Sequence, residues 1–253
     1  MESYRNALVT GASSGLGRGL ASALARRGIH VVAAARRKPE LDSLVAEIQR
    51  GGGSAEVLVL DCAQADEAHD TIRALDERLQ LDLVVANAGW GHTTPARKID
   101  WSTVKKILDL NVQGAAATLC GALPGMVARN RGHLVGVASL AGFRGLPKTA
   151  AYSASKSALI AFLESLRVDL HGTGVAVTSI CPGYVKTDLT KDRPYKLPFL
   201  MELDDAIEAM VRGIERREAV CAFPLPLYSA VRALPFLPDP VYDFLASRSK
   251  LRG

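Results

Sequence analysis

Two side chains four residues apart, Tyr152 and Lys156, are able to perform acid–base chemistry. Positions i and i+4 share one face of a helix, so this spacing holds the lysine ammonium beside the tyrosine phenol. A phenol has an ordinary pKa of about 10, and a neighbouring cation favours the phenolate. The pair predicts that Tyr152 is an acid or base, although a tyrosine and lysine at this spacing are more often a simple surface pair.

A glycine-rich turn lies near the start of the chain, in the segment Thr10-Gly11-Ala12-Ser13-Ser14-Gly15-Leu16-Gly17. It follows an apolar, strand-like run and opens a helical pattern. Glycines at such a turn let the backbone approach a pyrophosphate, whose charge the helix N-terminus stabilises. The context predicts a dinucleotide site formed by Gly11, Ser13, Ser14, Gly15, Leu16 and Gly17, and the alternative is an ordinary tight turn.

Two arginines follow the second strand-like run, which ends at Ala34-Ala35. In a dinucleotide fold an acidic residue at this edge binds ribose hydroxyls, whereas arginine pairs with a 2′-phosphate. Arg36 and Arg37 therefore favour NADP(H) over NAD(H) as cofactor. A solvated basic turn is the alternative reading, and Arg18 is a weaker candidate that we expect to be exposed on the first helix.

Polar residues also close the third and fourth strand-like runs: Asp61, next to Cys62, and the triplet Asn87-Ala88-Gly89. Open α/β sheets bind ligands at the carboxyl ends of their strands, so these residues are expected to contact the adenine end of the cofactor. Taken singly, Asp61 could be a helix N-cap and Asn87 a turn residue.

The elements that must position these residues alternate along the chain, as in a parallel sheet covered by helices on both faces. The predicted strands are Ala7–Thr10, His30–Ala34, Glu56–Leu60, Leu83–Asn87, His133–Ser139 and Val175–Cys181. The predicted helices are Leu16–Arg27, Pro39–Arg50, Ala65–Leu79, Trp101–Arg129 and Ala151–His171. We interpret residues 1–253 as one doubly wound α/β domain, with 188–217 as a substrate lid and helix and 219–253 as an apolar C-terminal extension.

Composition excludes several classes of protein. The 253 residues are 48% apolar and 23% charged with a net charge of +5, which fits a soluble globular chain rather than a disordered or collagen-like one. The charges are spread along the chain, so nucleic-acid binding has little support. No apolar leader segment follows the first residues, and the four cysteines form no CxxC pair, so we expect no metal site and a reducing, cytoplasmic location. The charge-free stretch Leu110 to Ala128 is interpreted as a buried helix.

The ordered set of motifs resembles the classical short-chain dehydrogenase/reductase family over residues 5 to 190. Besides the residues above, it includes Asn111, Ser139 and the loop Pro182-Gly183-Tyr184-Val185-Lys186-Thr187. The resemblance implies a seven-stranded parallel Rossmann sheet of order 3-2-1-4-5-6-7, a nicotinamide dinucleotide cofactor, and a homodimer or homotetramer.

The resemblance also implies roles for individual residues. Tyr152 would donate the proton to the substrate oxygen and would also contact the cofactor. Ser139 would hydrogen-bond the substrate oxygen, and Lys156 would bind the nicotinamide ribose while lowering the tyrosine pKa. Asn111 would hold a water of the proton relay. The loop residues Pro182, Gly183, Val185 and Thr187 would bind the nicotinamide carboxamide, Val185 through its backbone and Thr187 through its hydroxyl.

The substrate side is apolar in sequence. The predicted lid contains Tyr195 and a Leu197–Met201 run, and an apolar lid would exclude water from hydride transfer. We therefore expect a hydrophobic ketone or alcohol. Besides Ser139 and Tyr152, the substrate-contact candidates are Trp90, His92, Phe143, Leu146 and Tyr184.

Two questions stay open at this point. The proline-rich apolar segment 223–246 fits a cap or subunit contact better than a membrane or lipid-substrate surface. The function alternatives to an NADP(H)-dependent carbonyl–alcohol oxidoreductase are a 3-oxoacyl-type reductase acting on a carrier-linked or lipid substrate, and a catalytically silent NADP-binding regulator.

Overall fold

A seven-stranded parallel sheet is the centre of the fold. The computed structural model describes residues 4–187, 190 and 197–248. Within them the strands are β1 (Asn6–Thr10), β2 (His30–Ala35), β3 (Ala55–Val59), β4 (Leu83–Ala86), β5 (Gly132–Val137), β6 (Val175–Pro182) and β7 (Val220–Phe223). They are hydrogen-bonded in the order β3-β2-β1-β4-β5-β6-β7, which confirms the predicted fold class.

Helices cover both faces of the sheet. They are α1 (Gly15–Ala25), α2 (Lys38–Arg50), α3 (Ala65–Leu79), α4 (Trp101–Leu108), α5 (Ala115–Ala128), α6 (Ala150–Asp169), α7 (Leu203–Glu215), α8 (Leu225–Ala233) and α9 (Asp239–Arg248). Successive residues of β1 enter opposite cores, because side chains alternate along a strand. Ala7 and Val9 pack with residues of α1, α2 and α7, whereas Leu8 packs with residues of α3, α5 and α6.

The predicted continuous helix Trp101–Arg129 is wrong in its middle. A π-helical turn, Asp109–Gly114, separates α4 from α5. Such turns insert a residue and are frequent at functional sites, and this one contains the buried Asn111. Apolar periodicity does not reveal a single wide turn, since both flanking segments remain helical.

No helix within the described residues is long and apolar enough to cross a membrane.

The last strand lies inside the segment expected to be a C-terminal extension. β7 pairs with β6 at the edge of the sheet, with Cys221 opposite Ile180 and Phe223 opposite Pro182. Four residues are too few to produce a recognisable alternation, so only the resemblance, not the pattern, predicted a seventh strand. Residues 225–248 therefore follow the sheet directly.

Three glycines let α5 approach α3 and the loop before it closely. A Cβ atom would lie 2.3 Å from the Cys62 carbonyl oxygen if added at Gly114, and 2.8 Å from the His69 carbonyl oxygen if added at Gly121. At Gly125 it would lie 1.9 Å from Oδ2 of Asp76. Backbone atoms cannot move aside as a flexible side chain can, so no side chain fits at Gly114 or Gly121, whereas the obstacle at Gly125 is the Asp76 side chain.

Gly121→Ala is expected to destabilise the protein, although alanine is the better helix former by about 1 kcal/mol. The new methyl group would collide with backbone of α3, and overpacking of this kind costs about 1–3 kcal/mol. Gly51→Ala is the matched control, because a Cβ there would make only ordinary contacts at 3.4 and 3.6 Å. Urea denaturation measures both variants, and equal midpoints would contradict the prediction.

Candidate active site

A cleft of about 380 Å³ opens at the carboxyl ends of the strands. This is the edge at which open α/β sheets bind ligands. The predicted residues that line it are Gly11, Ser13, Ser14, Gly15, Leu16, Gly17, Arg36, Arg37, Asp61, Cys62, Asn87, Ala88, Gly89, Trp90, Ser139, Tyr152, Lys156, Pro182, Gly183, Val185 and Thr187. Sequence reasoning missed Ala35, Leu60, Leu110, Val137, Ala138 and Thr190, which are mostly apolar residues without a motif of their own.

Some candidates are not among the lining residues of this cleft in the described part of the chain. They are Asn111, His92, Phe143, Leu146 and Tyr184. The exposed His92 stacks on Trp90 with ring centroids 5.8 Å apart, and the Phe143 ring packs against Tyr228 at 5.6 Å. Tyr195 lies outside the described residues, as do positions 188, 189, 191–194 and 196 of the predicted lid.

Lys156 carries a buried charge beside Tyr152. Both residues are on α6, and Nζ of Lys156 lies 5.8 Å from the centroid of the Tyr152 ring. Lys156 is only 5% exposed and donates a hydrogen bond of 2.8 Å to the carbonyl oxygen of Val137, the last residue of β5. Burial lowers the pKa of Lys156 from 10.5 to about 8, and Cys181 opposes this shift. At neutral pH the ammonium therefore still predominates next to the phenol.

The side chain of Asn111 joins three parts of the site. Its Oδ1 accepts from the Trp90 N–H at 2.8 Å, and its Nδ2 donates to the Trp90 carbonyl oxygen at 2.8 Å and to Oγ of Ser155 at 3.0 Å. The Ser155 hydroxyl in turn donates to the carbonyl oxygen of Tyr152 at 2.7 Å. Both amide hydrogens of Asn111 are thus used inside the protein, so a relay water would have to be held by another of its atoms.

The backbone around Trp90 passes directly over the acid–base pair. A Cβ added at Gly91 would lie 2.9 Å from Cδ2 of Tyr152, and one added at Gly89 would lie 3.4 Å from Nζ of Lys156. Because Asn111 holds Trp90 by both backbone groups, the π-helical turn controls how closely this segment approaches Tyr152. Sequence reasoning missed Ser155, whose only signal was its place between Tyr152 and Lys156.

Ser139 follows β5 and begins the short 3₁₀ turn Leu140–Gly142. Its hydroxyl accepts the Ala141 N–H at 3.1 Å and donates weakly, at 3.4 Å, to the carbonyl oxygen of Pro182 at the end of β6. Ser139 therefore sits across two neighbouring strand ends and lines the same cleft as Tyr152.

The glycines of the first turn have two different functions. A Cβ at Gly11 would lie 2.8 Å, and one at Gly17 2.4 Å, from Nδ2 of Asn87, so these glycines permit close packing within the protein. Gly15 has a positive φ of 53° and only the Thr187 side chain near its Cβ position, at 3.5 Å. Of the three, Gly15 is the one that leaves the turn open towards the cleft.

Asn87 holds the ends of β1 and β4 together. Its Nδ2 donates to the Thr10 carbonyl oxygen at 2.8 Å, and the Thr10 hydroxyl accepts the N–H groups of Asn87 and Ala88 at 3.0 and 3.1 Å. Asp61, in contrast, accepts the Ala63 N–H at 3.1 Å and closes a local turn. The Asn87 amide group therefore has a clear structural function in addition to its position on the cleft wall.

Arg37 is the arginine most closely tied to the glycine-rich turn. Its guanidinium group donates to Oγ of Ser13 at 2.9 Å and to Oγ of Ser14 at 3.0 Å. The exposed Arg36 has only a long ion pair of 3.9 Å with Asp61. Arg18 is half-buried rather than exposed, and it pairs with Glu47 at 2.7 Å. Arg18 is therefore already neutralised, which leaves Arg36 and Arg37 facing the cleft.

The segment just before the predicted lid is tied to residues 201 and 202 within it. Val185 and Met201 form a parallel bridge, and the Met201 N–H donates to the Tyr184 carbonyl oxygen at 2.9 Å. The Lys186 ammonium also pairs with the Glu202 carboxylate, just before α7 begins. The segment between them therefore starts and ends at one point beside the cleft.

Comparisons with known proteins agree with this geometry. The sequence model described as short chain dehydrogenase matches residues 5–197. A protein of Myxococcus xanthus named "Uncharacterized oxidoreductase" is 58% identical over 97% of this chain and 98% of its own length.

Two solved structures share the fold over nearly the whole chain. A short-chain dehydrogenase from Sphingobium yanoikuyae in complex with NADPH has a TM-score of 0.82 at 26% identity, over 97% of this chain and 96% of that one. A short chain dehydrogenase/reductase from Burkholderia phymatum in complex with NAD has a TM-score of 0.85 over 98% of both chains, and at 22% identity it supports the fold alone.

Lys156→Met is expected to remove a pH-dependent part of the stability. Between pH 8 and 10.5 the unfolded chain holds the lysine proton and the folded protein has released it, because burial lowers the pKa. The free energy of unfolding of the wild type should therefore rise with pH across this window, relative to that of the variant. Urea denaturation of both proteins measures the difference, and a difference that does not change with pH would contradict it.

Proposed function

Because the chain belongs to the short-chain dehydrogenase family, we propose that it is an NADP(H)-dependent oxidoreductase that interconverts a carbonyl and a secondary alcohol on an apolar substrate. The observation that carries the proposal is the buried Lys156 ammonium beside Tyr152, in the same cleft as the glycine-rich turn. A catalytically silent nucleotide-binding protein would have no need to hold a buried charge next to a phenol.

The residues of the cleft fit a nicotinamide dinucleotide. The glycine-rich turn leads into the N-terminus of α1, where N–H groups and the helix dipole favour a phosphate. The hydroxyls of Ser13 and Ser14 and the guanidinium of Arg37 add donors at the end of β2, which suits a second, separate phosphate. When bound, such a cofactor supplies or accepts the hydride.

The proton chemistry follows from the residues around Tyr152. In the direction of reduction, the Tyr152 hydroxyl gives its proton to the substrate oxygen, which the Ser139 hydroxyl also hydrogen-bonds. Negative charge then develops on the tyrosine oxygen, and the adjacent Lys156 ammonium stabilises it. Because Lys156 is buried, this interaction is weakly screened by solvent. In the direction of oxidation the same groups act in reverse, with the tyrosine as base.

Asn111 contributes by fixing the positions of two backbone segments next to Tyr152. Through Trp90 it keeps the backbone at Gly91 against the Tyr152 ring, and through Ser155 it fixes the first turn of α6. We propose that Asn111 is a positioning residue through its side chain.

Apolar residues that line the cleft together with Tyr152 support an apolar substrate. Trp90 is partly exposed on the cleft wall, and the apolar residues Leu110 and Val137 line the same cleft. An apolar surface next to the acid–base pair favours a hydrophobic ketone or alcohol over a small polar one.

Tyr152→Phe is expected to lower kcat for carbonyl reduction by about 10²–10⁴-fold, since general acid catalysis contributes a factor of that size. The ring is retained, so NADPH should bind with unchanged affinity. Steady-state kinetics over a panel of aliphatic and aromatic ketones measures kcat, and NADPH fluorescence measures the affinity for the cofactor. Cofactor binding by the wild type without turnover of any ketone in the panel would favour the regulator alternative.

Cofactor preference depends on Arg36 and Arg37 in this proposal. Arg36→Asp and Arg37→Ala are each expected to weaken NADPH binding by about 10–100-fold, the effect of losing a charge-assisted hydrogen bond, and to leave NADH binding nearly unchanged. Arg50→Ala is the control, because Arg50 is an exposed arginine at the far end of α2. Equal losses of NADPH and NADH affinity in both cleft variants would contradict the assignment.

A further inference from the structure

Arg144 reaches from the loop after Ser139 to the C-terminal helices. Its guanidinium group pairs with Asp239 at 2.7 Å and donates to the carbonyl oxygens of Leu234 and Pro235 at 3.3 and 3.4 Å. It also lies 4.4 Å from the centroid of the Tyr242 ring. The Arg144 side chain is only 18% exposed, whereas that of Asp239 is 86% exposed. Arg144 is thus the enclosed half of the pair, surrounded by residues about 90 positions later in the chain.

Helix α9 depends on these polar contacts for its position. None of the residues Asp239–Arg248 is buried, so apolar burial does not hold the helix against the domain. Its contacts with the loop are the ion pair of Asp239 with Arg144, the stacking of Tyr242 on the same guanidinium, and a hydrogen bond from the Tyr242 hydroxyl to the Gly145 carbonyl oxygen. Asp239 and Tyr242 of α9 therefore both contact the segment Arg144–Gly145.

Helix α8 makes a second, apolar contact with the same loop. The Tyr228 ring packs against Phe143 at 5.6 Å, and the Arg232 guanidinium lies 5.5 Å from the Phe143 ring centroid. Leu227 approaches Gly183 so closely that a Cβ there would lie 2.9 Å from Cδ2 of the leucine. Phe143 is thus engaged with the C-terminal segment rather than with the cleft.

The loop held in this way is continuous with the catalytic groups. Ser139 begins it, and the Gly142 carbonyl oxygen accepts the Ser157 hydroxyl of α6 at 2.6 Å. A Cβ at Gly142 would lie 2.9 Å from the carbonyl carbon of Lys156, so the loop rests directly on the helix that carries the acid–base pair. A displacement of the loop would therefore move Ser139 relative to Tyr152.

We propose that residues 225–248 act as a clamp on the loop 139–147, with Arg144 as the positioning residue that sets where Ser139 stands over the substrate oxygen. The proposal rests on the function proposed above. The clamp is built mainly from residues beyond 197, where the match to the family's sequence model ends. The C-terminal segment would thus influence the substrate site through the loop, without lining the cleft itself.

Arg144→Met tests the clamp, because methionine keeps an apolar stem and loses every polar contact. We expect kcat for a bulky apolar ketone to fall about 10-fold or more, since a displacement of about 1 Å at a reacting group can cost up to about 100-fold. NADPH affinity should not change. Arg144→Lys keeps the charge facing Asp239 and loses the planar fork, so it should recover part of kcat. Arg73→Met is the control, since Arg73 forms an exposed ion pair with Glu77 on α3.

Hydrogen–deuterium exchange gives a measurement that does not depend on turnover. In Arg144→Met and in Asp239→Asn, amides of both 139–147 and 239–248 should exchange faster than in the wild type and in Arg73→Met. Faster exchange in 239–248 alone, with kcat unchanged, would show a passive cap and overturn the clamp. If the wild type reduces no ketone, the proposed function fails, and the coupled or uncoupled exchange of the two segments still decides whether the clamp exists.

Discussion

The buried ammonium of Lys156 is the group on which the arrangement of the site depends. A charge removed from water has to be compensated by neighbouring groups, or the protein loses stability. Here the compensation comes from the carbonyl oxygen at the end of β5, which is available because the strand stops at Val137. This hydrogen bond and the burial of Leu159 and Leu163 in the core together hold α6 against the sheet. Tyr152, one helical turn earlier, lines the same cleft as Ser139, two residues beyond the strand.

Much of this could be predicted because each motif belongs to one local element. Tyr152 and Lys156 lie within one helix, and the glycine-rich turn joins one strand to the next helix. Both motifs are therefore recognisable from residues close together in the sequence. The π-helical turn was not predictable from apolar periodicity, since it contains Asn111, which exchanges two hydrogen bonds with the backbone of Trp90, 21 positions earlier. The two functions of the glycines were not predictable for the same reason, because Asn87, which follows β4, leaves no room for a side chain at Gly11 or Gly17.

The arginines show that composition does not identify which charged residues bind a ligand. A net charge of +5 says nothing about which cations face a ligand. In the fold, Arg18 is neutralised by Glu47 and Arg129 by the buried Asp76, while Arg37 rests on two serine hydroxyls, although it also approaches Glu40 at 3.3 Å. Arg144 had no motif at all, being a single charge between apolar residues, and its partners lie far away in sequence. Position in the fold, rather than number, therefore distinguishes Arg36 and Arg37, which line the cleft, from the arginines that stabilise the fold.

The exposed character of α9 has a consequence for how this protein can diversify. A helix that contributes nothing to the interior places few demands on the sheet, whereas a row such as Gly114, Gly121 and Gly125 tolerates almost no variation. Mutations in α9 can accumulate without endangering the folding of the domain, as long as Asp239 and Tyr242 remain. The interior of the chain is thus closely constrained by packing, whereas α9 is constrained mainly by a few polar contacts at its surface.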